Sequence, residues 1–450
     1  MMVSRRDVLV LSILAAVAIG ARLVLIASYG SPVPYWDQWD AEADRLYKPW
    51  LNGTLTLADL FSAHNEHRIL TTRLWLLGIF ELGGGRWNPL LQMRCNTCLA
   101  AACIVSLVWC LGRGLRDRER LLLQGCGILM SVVPYGWENT LWGFQSQIYL
   151  LVLASVWCLW LSGTRTPMSA GWWAGVGCGL AGWLSMAGGA ITLAAAAIAN
   201  GFAATVEREH RPRWIRAVIV LSCLAMGAIA LTPHVGSHDA LRPQSVAQFL
   251  RAVAALLGFP EAEDGFGTRA IARMCIVNAP LAWWCVRSLP RGGRSGVDRT
   301  EVFLCGLAMW HYGSVLAIAL SRASAPFEPR YTDILMVGPL LNLTTLLRMT
   351  RQEAGWPTAH RLGVLVVWLA SVESGFVVSA PERSTMLMIK EMKNAEFMER
   401  TRYYIEHHDI RSLAAQNRAL LPYGSVQRLA KLLDDPVIRG FLPDALLPKR

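Results

Sequence analysis

The segment VLVLSILAAVAIGARLVLIAS, Val8 to Ser28, decides the class of fold. Its length and apolar character match a helix that crosses the hydrocarbon core of a bilayer, which takes about 20 residues. Arg5 and Arg6 precede it, as in a signal peptide, but the segment is long and no small-residue cleavage site comes before Trp36. We therefore expect a retained membrane anchor.

Similar apolar segments recur along the chain. Of its 450 residues, 54% are hydrophobic and 17% charged, with a mean hydropathy of +0.35, more apolar than a soluble globular chain. We predict an all-α, polytopic membrane protein with about eleven transmembrane helices. The expected spans are Val8 to Ser28, Pro89 to Gly112, Leu121 to Gly136, Leu141 to Leu161, Gly171 to Met186, Gly188 to Ala204, Ala217 to Leu231, Ile271 to Val286, Val302 to Leu320, Thr332 to Leu347 and Leu362 to Ala380.

Arginine collects in every second loop between these segments. The clusters are Arg5 and Arg6; Arg113, Arg116, Arg118 and Arg120; Arg208, Arg211, Arg213 and Arg216; Arg287, Arg291, Arg294 and Arg299; and Arg348, Arg351 and Arg361. Such loops stay on the cytoplasmic side. The pattern predicts a multi-pass protein of the inner (cytoplasmic) membrane, with a cytoplasmic amino terminus and an extracytoplasmic carboxyl terminus. This topology explains most of the net charge of +11, so nucleic acid is not an expected partner.

A further apolar stretch, Ile69 to Leu82, is assigned to the membrane surface. Counting it as a span would move the cluster from Arg113 to Arg120 outside and invert every later loop. Arg73 inside the stretch and the glycines that end it predict a short amphipathic helix in the interface plane. This juxtamembrane helix belongs to a long first outer loop, residues 31–88.

The loops on the predicted outer face hold the side chains that suggest chemistry. The first loop carries PYWDQWDAEAD, residues 34–44, and HNEHR, residues 64–68. A second carries PYGWENTLWGFQSQ, residues 134–147, and the last carries SRASAPFEPRY, residues 321–331. Polar groups at membrane depth line cavities, because exposing them to lipid would cost several kcal/mol. We therefore expect these loops to form one amphiphilic pocket.

This layout resembles the GT-C superfamily of polyprenyl-phosphate-dependent membrane glycosyltransferases, over about the first 380 residues. The resemblance rests on the anchor span, the long outer loop with an acidic motif at Asp37, the juxtamembrane helix, and an Arg94-containing second span that leads into a basic turn. It implies a catalytic aspartate where Asp37 stands, with Asp40 one helical turn later. Gln38 stands where many relatives have a second acid. The HNEHR motif, Glu138-Asn139 and Arg330-Tyr331 look like motifs of an uncharacterised bacterial branch of this superfamily.

The residues also allow the chemistry to be argued directly. Transfer of a sugar from a lipid phosphate to a hydroxyl with inversion needs a carboxylate that takes the acceptor proton and cations that hold the departing phosphate. The phosphate is a good leaving group, so no second acid is required. The candidates are Asp37, Asp40 and Glu138 for catalysis; Arg68, Arg322, Arg330 and Tyr331 for the donor phosphate; and His64, Glu66, His67, Asn139 and Gln145 for the acceptor or accessory roles. The acceptor, a glycan, a lipid or a protein, stays open.

Each group of candidates also has another explanation. The two aspartates can cap a short helix, and the arginines of the last outer loop can reach lipid headgroups. The histidines and glutamate of HNEHR can form surface hydrogen bonds, or can join the aspartates in holding a divalent cation, the one cofactor that stays open. A transporter or flippase of lipid-linked glycans would show inverted repeats, and we find no such symmetry. A non-catalytic membrane scaffold is a further alternative.

Hydropathy falls after Ala380, which divides the chain into a membrane domain, residues 1–380, and a tail, residues 381–450. Charged residues alternating with methionines predict a solvated helix there, and the proline-broken end near Pro436 suits docking against the outer loops. A tail of this length can barely form a hydrophobic core of its own. We therefore expect a small helical extracytoplasmic cap.

Overall fold

A computed structural model of the chain describes residues 5–261, 268–288, 298–352, 356–414 and 423–447. Helices make up almost all of the regular structure in these ranges. The two strands found there, β1 Ala63–His64 and β2 His67–Arg68, form one antiparallel hairpin. The prediction of an all-α protein is confirmed for the described residues.

The described ranges contain twenty α-helices. In chain order they are α1 Arg5–Tyr29, α2 Lys48–Leu51, α3 Leu57–Phe61, α4 Leu70–Leu82, α5 Pro89–Leu111, α6 Asp117–Val132, α7 Trp137–Thr140, α8 Ser146–Thr164, α9 Ala170–Trp183, α10 Gly189–Val206, α11 Arg211–Ala230, α12 Val246–Leu257, α13 Thr268–Ser288, α14 Arg299–Ser321, α15 Thr332–Leu335, α16 Val337–Gln352, α17 Thr358–Val378, α18 Ala380–His407, α19 Val426–Asp434 and α20 Pro436–Phe441. A π-helix, Gln38–Tyr47, precedes α2. Every apolar segment predicted from the sequence overlaps one of these helices.

Seven helical stretches within the described ranges are long and apolar enough to cross a membrane. They are Arg5–Tyr29, Pro89–Leu111, Gly143–Thr164, Gly189–Val206, Arg211–Ala230, Arg299–Ser321 and Thr358–His407. These apolar helices indicate a membrane-embedded protein. Helices α6, α9 and α16 have 16, 14 and 16 residues, shorter than a full crossing of the hydrocarbon core.

The arginine-rich loops meet at one end of the helix bundle. Arg120 on α6 forms an ion pair with Asp7 at the start of α1, with 2.7 Å between nitrogen and oxygen. Glu119 lies 3.7 Å from Arg351 at the end of α16, and Arg299 at the start of α14 lies 3.0 Å from Glu207. Arg291 and Arg294 lie outside the described residues. The described basic loops therefore share one face.

The stretch Ile69 to Leu82, predicted as a surface helix, forms helix α4 over Leu70–Leu82. Its one buried cation, Arg73, does not face lipid. Arg73 donates to the backbone oxygens of Leu60 and Ser62 at 2.8 and 2.6 Å. Helix α4 is thereby tied to the loop that precedes it.

The first outer loop and the tail share one apolar core at the opposite face. Trp39 and Leu46 of the first loop are buried in the same cluster as Leu433 and Phe441 of the tail. Ion pairs surround this cluster; Lys48 Nζ, for example, lies 2.5 Å from Asp435. Because the tail packs on the first loop, both lie on the same side of the helix bundle.

Glu42 is fully buried at the centre of the first loop. One carboxylate oxygen accepts hydrogen bonds from Trp87 Nε1, Gln92 Nε2 and the Tyr47 hydroxyl at 2.9, 2.6 and 3.1 Å. The other accepts from Gln38 Nε2 at 3.1 Å. A buried carboxylate is tolerated only when its oxygens are paired in this way. The network fixes the π-helix against α5.

We expect Glu42 to make the stability of the protein depend on pH. Burial raises the pKa of Glu42 to about 7 from an ordinary 4.5, although four hydrogen bonds act in the opposite direction. The folded protein therefore holds a proton that the unfolded chain releases above about pH 4.5, so stability falls as pH rises from there to about 7. The expected loss is at most about 3 kcal/mol. Thermal unfolding from about pH 5 to 8 measures it, and Glu42→Gln should remove it. The same pH dependence in both proteins would contradict this role.

Candidate functional site

A cavity of about 340 Å³, here called the outer cavity, lies among the outer loops. Its volume falls in the range of small-molecule sites, about 300 to 1,000 Å³. Eight residues predicted from the sequence line it: Asp37, His64, Glu66, His67, Gln145, Arg322, Arg330 and Tyr331. They come from three loops far apart in the chain. The fold therefore brings most of the candidate residues to one place.

Asp37 enters the outer cavity directly after a strained turn. Trp36 has a φ of 46°, a left-handed conformation that is uncommon for a bulky residue. Asp37 begins the π-helix, yet its side chain makes no capping hydrogen bond. Its carboxylate is 39% exposed and lies 3.5 Å from His64 Nε2. The geometry leaves this carboxylate accessible to a ligand, as a proton acceptor must be.

The β-hairpin places Glu66 at the cavity wall. Asn65 takes a left-handed conformation, φ 51°, which the two-residue turn accommodates. Glu66 Oε1 lies 3.2 Å from Arg322, and Oε2 lies 3.0 Å from His238. Burial opposes ionisation of Glu66, but its own backbone amide and the nearby His67, His238 and Arg322 lower its pKa below the ordinary value. Glu66 is thus a carboxylate that orients Arg322.

Arg330 is held from both sides. Its guanidinium forms an ion pair with Glu328, and its backbone oxygen accepts a hydrogen bond from Asn139 Nδ2 at 2.8 Å. Burial acts to lower the pKa of Arg330, but Tyr331, Glu138 and Glu328 raise it above the ordinary value. The side chain therefore remains a cation and can bind an anion.

An apolar groove of about 240 Å³ adjoins the outer cavity. The two spaces share the lining residues Glu66, His67, Met186, Arg322 and Tyr331. Beyond them, the groove is lined by Leu151 of α8, Ile191 of α10, Ala317 and Ile318 of α14, and Ile334 of α15. The charged outer cavity thus shares part of its wall with an apolar groove at the level of the helices.

Four predicted residues do not line the outer cavity: Asp40, Arg68, Glu138 and Asn139. Asp40 faces the tail and lies 3.0 Å from Arg428. Arg68 donates to two backbone oxygens at 3.0 and 3.3 Å. Glu138 lies near Arg330 away from the cavity; burial raises its pKa, although Arg330 acts to lower it. Asp40 and Arg68 thus contribute to packing between segments, whereas Glu138 and Asn139 support Arg330.

The sequence did not single out several residues of the outer cavity. Trp36, Gln147 and His238 line it, together with the aromatic rings of Trp142 and Phe144. His238 comes from the loop between α11 and α12, where no spacing relates it to Glu66. The position of Trp36 beside Asp37 was a signal in the sequence, because tryptophan is enriched at binding surfaces.

Within the described ranges, no group of three or more His, Cys, Asp or Glu side chains is arranged to hold a metal ion. The metal alternative relied on both aspartates, and Asp40 is turned towards Arg428. Comparison with protein-family models and with curated proteins finds no match to the chain. The function is therefore argued from the geometry and charge of the cavity.

Proposed function

We propose that the protein is a membrane glycosyltransferase of the GT-C type. In this proposal it moves a sugar from a polyprenyl-phosphate donor to a glycan, lipid or protein acceptor on the extracytoplasmic face, with inversion. One observation carries it: an accessible carboxylate, Asp37, shares a chamber with two cations, Arg322 and Arg330, and that chamber adjoins an apolar groove. A lipid phosphate needs both the cations and the groove.

The proposed reaction uses these groups in one step. The acceptor hydroxyl attacks the anomeric carbon of the donor sugar and gives its proton to Asp37. The bond between that carbon and the phosphate oxygen breaks, and its electron pair leaves with the phosphate. Arg322 and Arg330 stabilise the negative charge that grows on the phosphate, since guanidinium groups bind phosphate oxygens in a two-pronged way. His64, 3.5 Å from Asp37, can share the transferred proton.

The groove gives the prenyl chain a place to lie. Its walls between α10 and α14 are built from side chains such as Ile191 and Ile318. An apolar chain there would leave the phosphate near Arg322 and Tyr331, which line both spaces. The prenyl chain of such a donor already lies in the bilayer, so the groove would orient the chain rather than remove it from water. This supports a lipid-linked donor over a free sugar phosphate.

We further propose eleven crossings of the inner membrane, with the amino terminus in the cytoplasm and the carboxyl terminus outside. Contacts among the arginine-rich loops at one face support it, as does the packing of the tail on the first loop at the other. A tail and a first loop on the same side require an even number of crossings between them. The proposal has ten.

Cysteine labelling tests this topology. In a variant without native cysteines, Ser62→Cys and Arg411→Cys should both react with an impermeant reagent added outside intact cells, because both positions lie on the outer face. Arg118→Cys, exposed in the first turn of α6, is the matched control and should react only after permeabilisation. Protection of Arg411→Cys, or labelling of Arg118→Cys in intact cells, would contradict the proposed topology.

A transfer assay tests the function itself. The purified protein in proteoliposomes would receive radiolabelled polyprenyl-phosphate monosaccharides and a cell-envelope extract containing glycans, lipids and proteins. We expect the label to appear in one acceptor class. A chelator should abolish this transfer only if a divalent cation takes part. Movement of intact donor across the bilayer without transfer would overturn the transferase and favour a flippase.

A further inference from the structure

We propose that the outer cavity binds a carbohydrate, with Trp36 as the surface on which a sugar ring stacks and Gln145 and Gln147 as partners of its hydroxyls. As a statement about the acceptor, this rests on the transferase proposed above. Sugar binding itself is a separate property and can be measured alone.

Trp36 is placed for such a role at an energetic cost. Its left-handed backbone, φ 46°, is one that a bulky residue adopts only when the surroundings enforce it. The side chain is nevertheless 43% exposed and lines the outer cavity. Strained residues of this kind concentrate at ligand-binding positions. An exposed indole beside the proposed base therefore has a use other than filling a core.

Contacts with the carboxyl-terminal tail fix the position of the Trp36 indole ring. A Cβ atom at Gly424 would lie 2.7 Å from Trp36 Cζ3, so only glycine allows the ring this position. The ring of Tyr423 approaches Trp36 edge-on, with 6.4 Å between centroids. The carboxyl-terminal tail thus determines where the indole stands, although the two segments are almost four hundred residues apart in the chain.

The amides supply the polar half of the site. Gln145 and Gln147 both line the cavity and are 2% and 7% exposed. Gln147 Nε2 donates to Gln145 Oε1 at 3.2 Å. Gln147 Oε1 is buried and has no hydrogen-bond partner among the residues that the structure describes. A buried amide oxygen without a partner calls for a donor from a ligand or from water.

The aromatic ring of Trp36 and the amides of Gln145 and Gln147 match the two kinds of surface that a sugar presents. A pyranose presents hydroxyls around its rim and C–H groups on its faces, and the partially positive C–H groups suit the negative face of an indole. The rim hydroxyls can both donate to Gln147 Oε1 and accept from neighbouring groups. A peptide acceptor would leave the aromatic surface without this match. We therefore favour a carbohydrate over a peptide.

Saccharide binding to the full-length protein in nanodiscs tests the inference. The probes are cellobiose, lactose and mannobiose, with a serine- and threonine-containing hexapeptide for comparison, followed by saturation-transfer NMR. At least one disaccharide should bind, and Trp36→Ala should weaken it by about tenfold or more, about 1.4 kcal/mol. Trp36→Phe should keep most of the affinity, and Gly424→Ala should lower it by displacing the ring. Trp50→Ala is the matched control, because Trp50 is also 43% exposed on the first loop but does not line the cavity.

The outcomes separate this inference from the transferase. No binding of any disaccharide by the wild type, or equal binding by a correctly folded Trp36→Ala, would overturn it. Sugar transfer to a peptide or lipid in the absence of disaccharide binding would also overturn it, while leaving the transferase intact. Disaccharide binding that depends on Trp36, in a protein that transfers no sugar, would support carbohydrate binding and overturn the transferase.

Discussion

Asp37→Asn is expected to lower turnover by about a hundredfold or more while the protein still folds and binds its lipid donor. Loss of a positioned base has this scale, because an amide cannot take the proton of the attacking hydroxyl. The substitution keeps the shape of the side chain, and the carboxylate makes no capping hydrogen bond that folding would lose. Initial rates with saturating polyprenyl-phosphate sugar, together with donor binding and thermal unfolding, measure the three properties separately.

Asp40→Asn provides the matched control for Asp37. Asp40 lies in the first turn of the same π-helix but faces Arg428 and the Tyr423 hydroxyl in the tail. Its replacement should leave turnover within a few-fold of the wild type while weakening the contact between the tail and the first loop. Full sugar transfer by Asp37→Asn would remove Asp37 as the base. Equal damage from both replacements, with chelator-sensitive wild-type activity, would point instead to a metal held between the two acids.

Arg330→Ala should lower donor affinity and turnover together. This cation is proposed to hold the phosphate both before and during bond breaking, so its loss affects the ground state and the transition state. Removing one charge-assisted contact of this kind costs about 2 to 4 kcal/mol in kcat/KM, or roughly thirtyfold to a thousandfold. Donor binding and steady-state rates, measured on the same preparation, check the expected pattern.

Two further variants distinguish loss of the phosphate contact from loss of the folded structure. Arg330→Lys keeps the charge near Glu328 but loses the planar, two-pronged geometry, so an intermediate activity is expected. Arg68→Ala removes a cation of the first loop whose hydrogen bonds, among the described residues, go to two backbone oxygens at 3.0 and 3.3 Å, and it should leave donor affinity nearly unchanged. If Arg68→Ala weakens donor binding more than Arg330→Ala does, the phosphate site has been assigned to the wrong arginine.

The features that depend on the length of the apolar segments and on the positions of the positive charges could be predicted from the sequence. Apolar runs determine where helices form, and the alternation of arginine clusters places the loops of Asp37, Glu66 and Arg330 on one face. These are one-dimensional properties, so no knowledge of packing was needed. The same reasoning led to eight residues that line one cavity.

The direction of individual side chains could not be predicted. Asp40 lies three residues after Asp37, yet it faces Arg428, 388 positions later in the chain. A π-helix separates the two acids differently from an α-helix, and ten consecutive residues of it are rare. Trp36 depends likewise on a left-handed backbone and on the missing side chain of Gly424. Such details arise from contacts between distant segments, which local patterns do not contain.

The core shared by the first loop and the tail has a consequence for how the protein is made. Trp39 and Leu46 are synthesised early, but Leu433 and Phe441, which pack in the same cluster, are synthesised almost four hundred residues later. Until then an apolar surface on the first loop has no partner, and domains synthesised in this order depend on protection during assembly. A chain that stops before Tyr423 would contain the described helices from α1 to α18 but not Tyr423 and Gly424, which contact the ring of Trp36. The surroundings of Trp36 are therefore completed only after these helices have been made, so a copy truncated at this point would lack the contacts that position the indole ring.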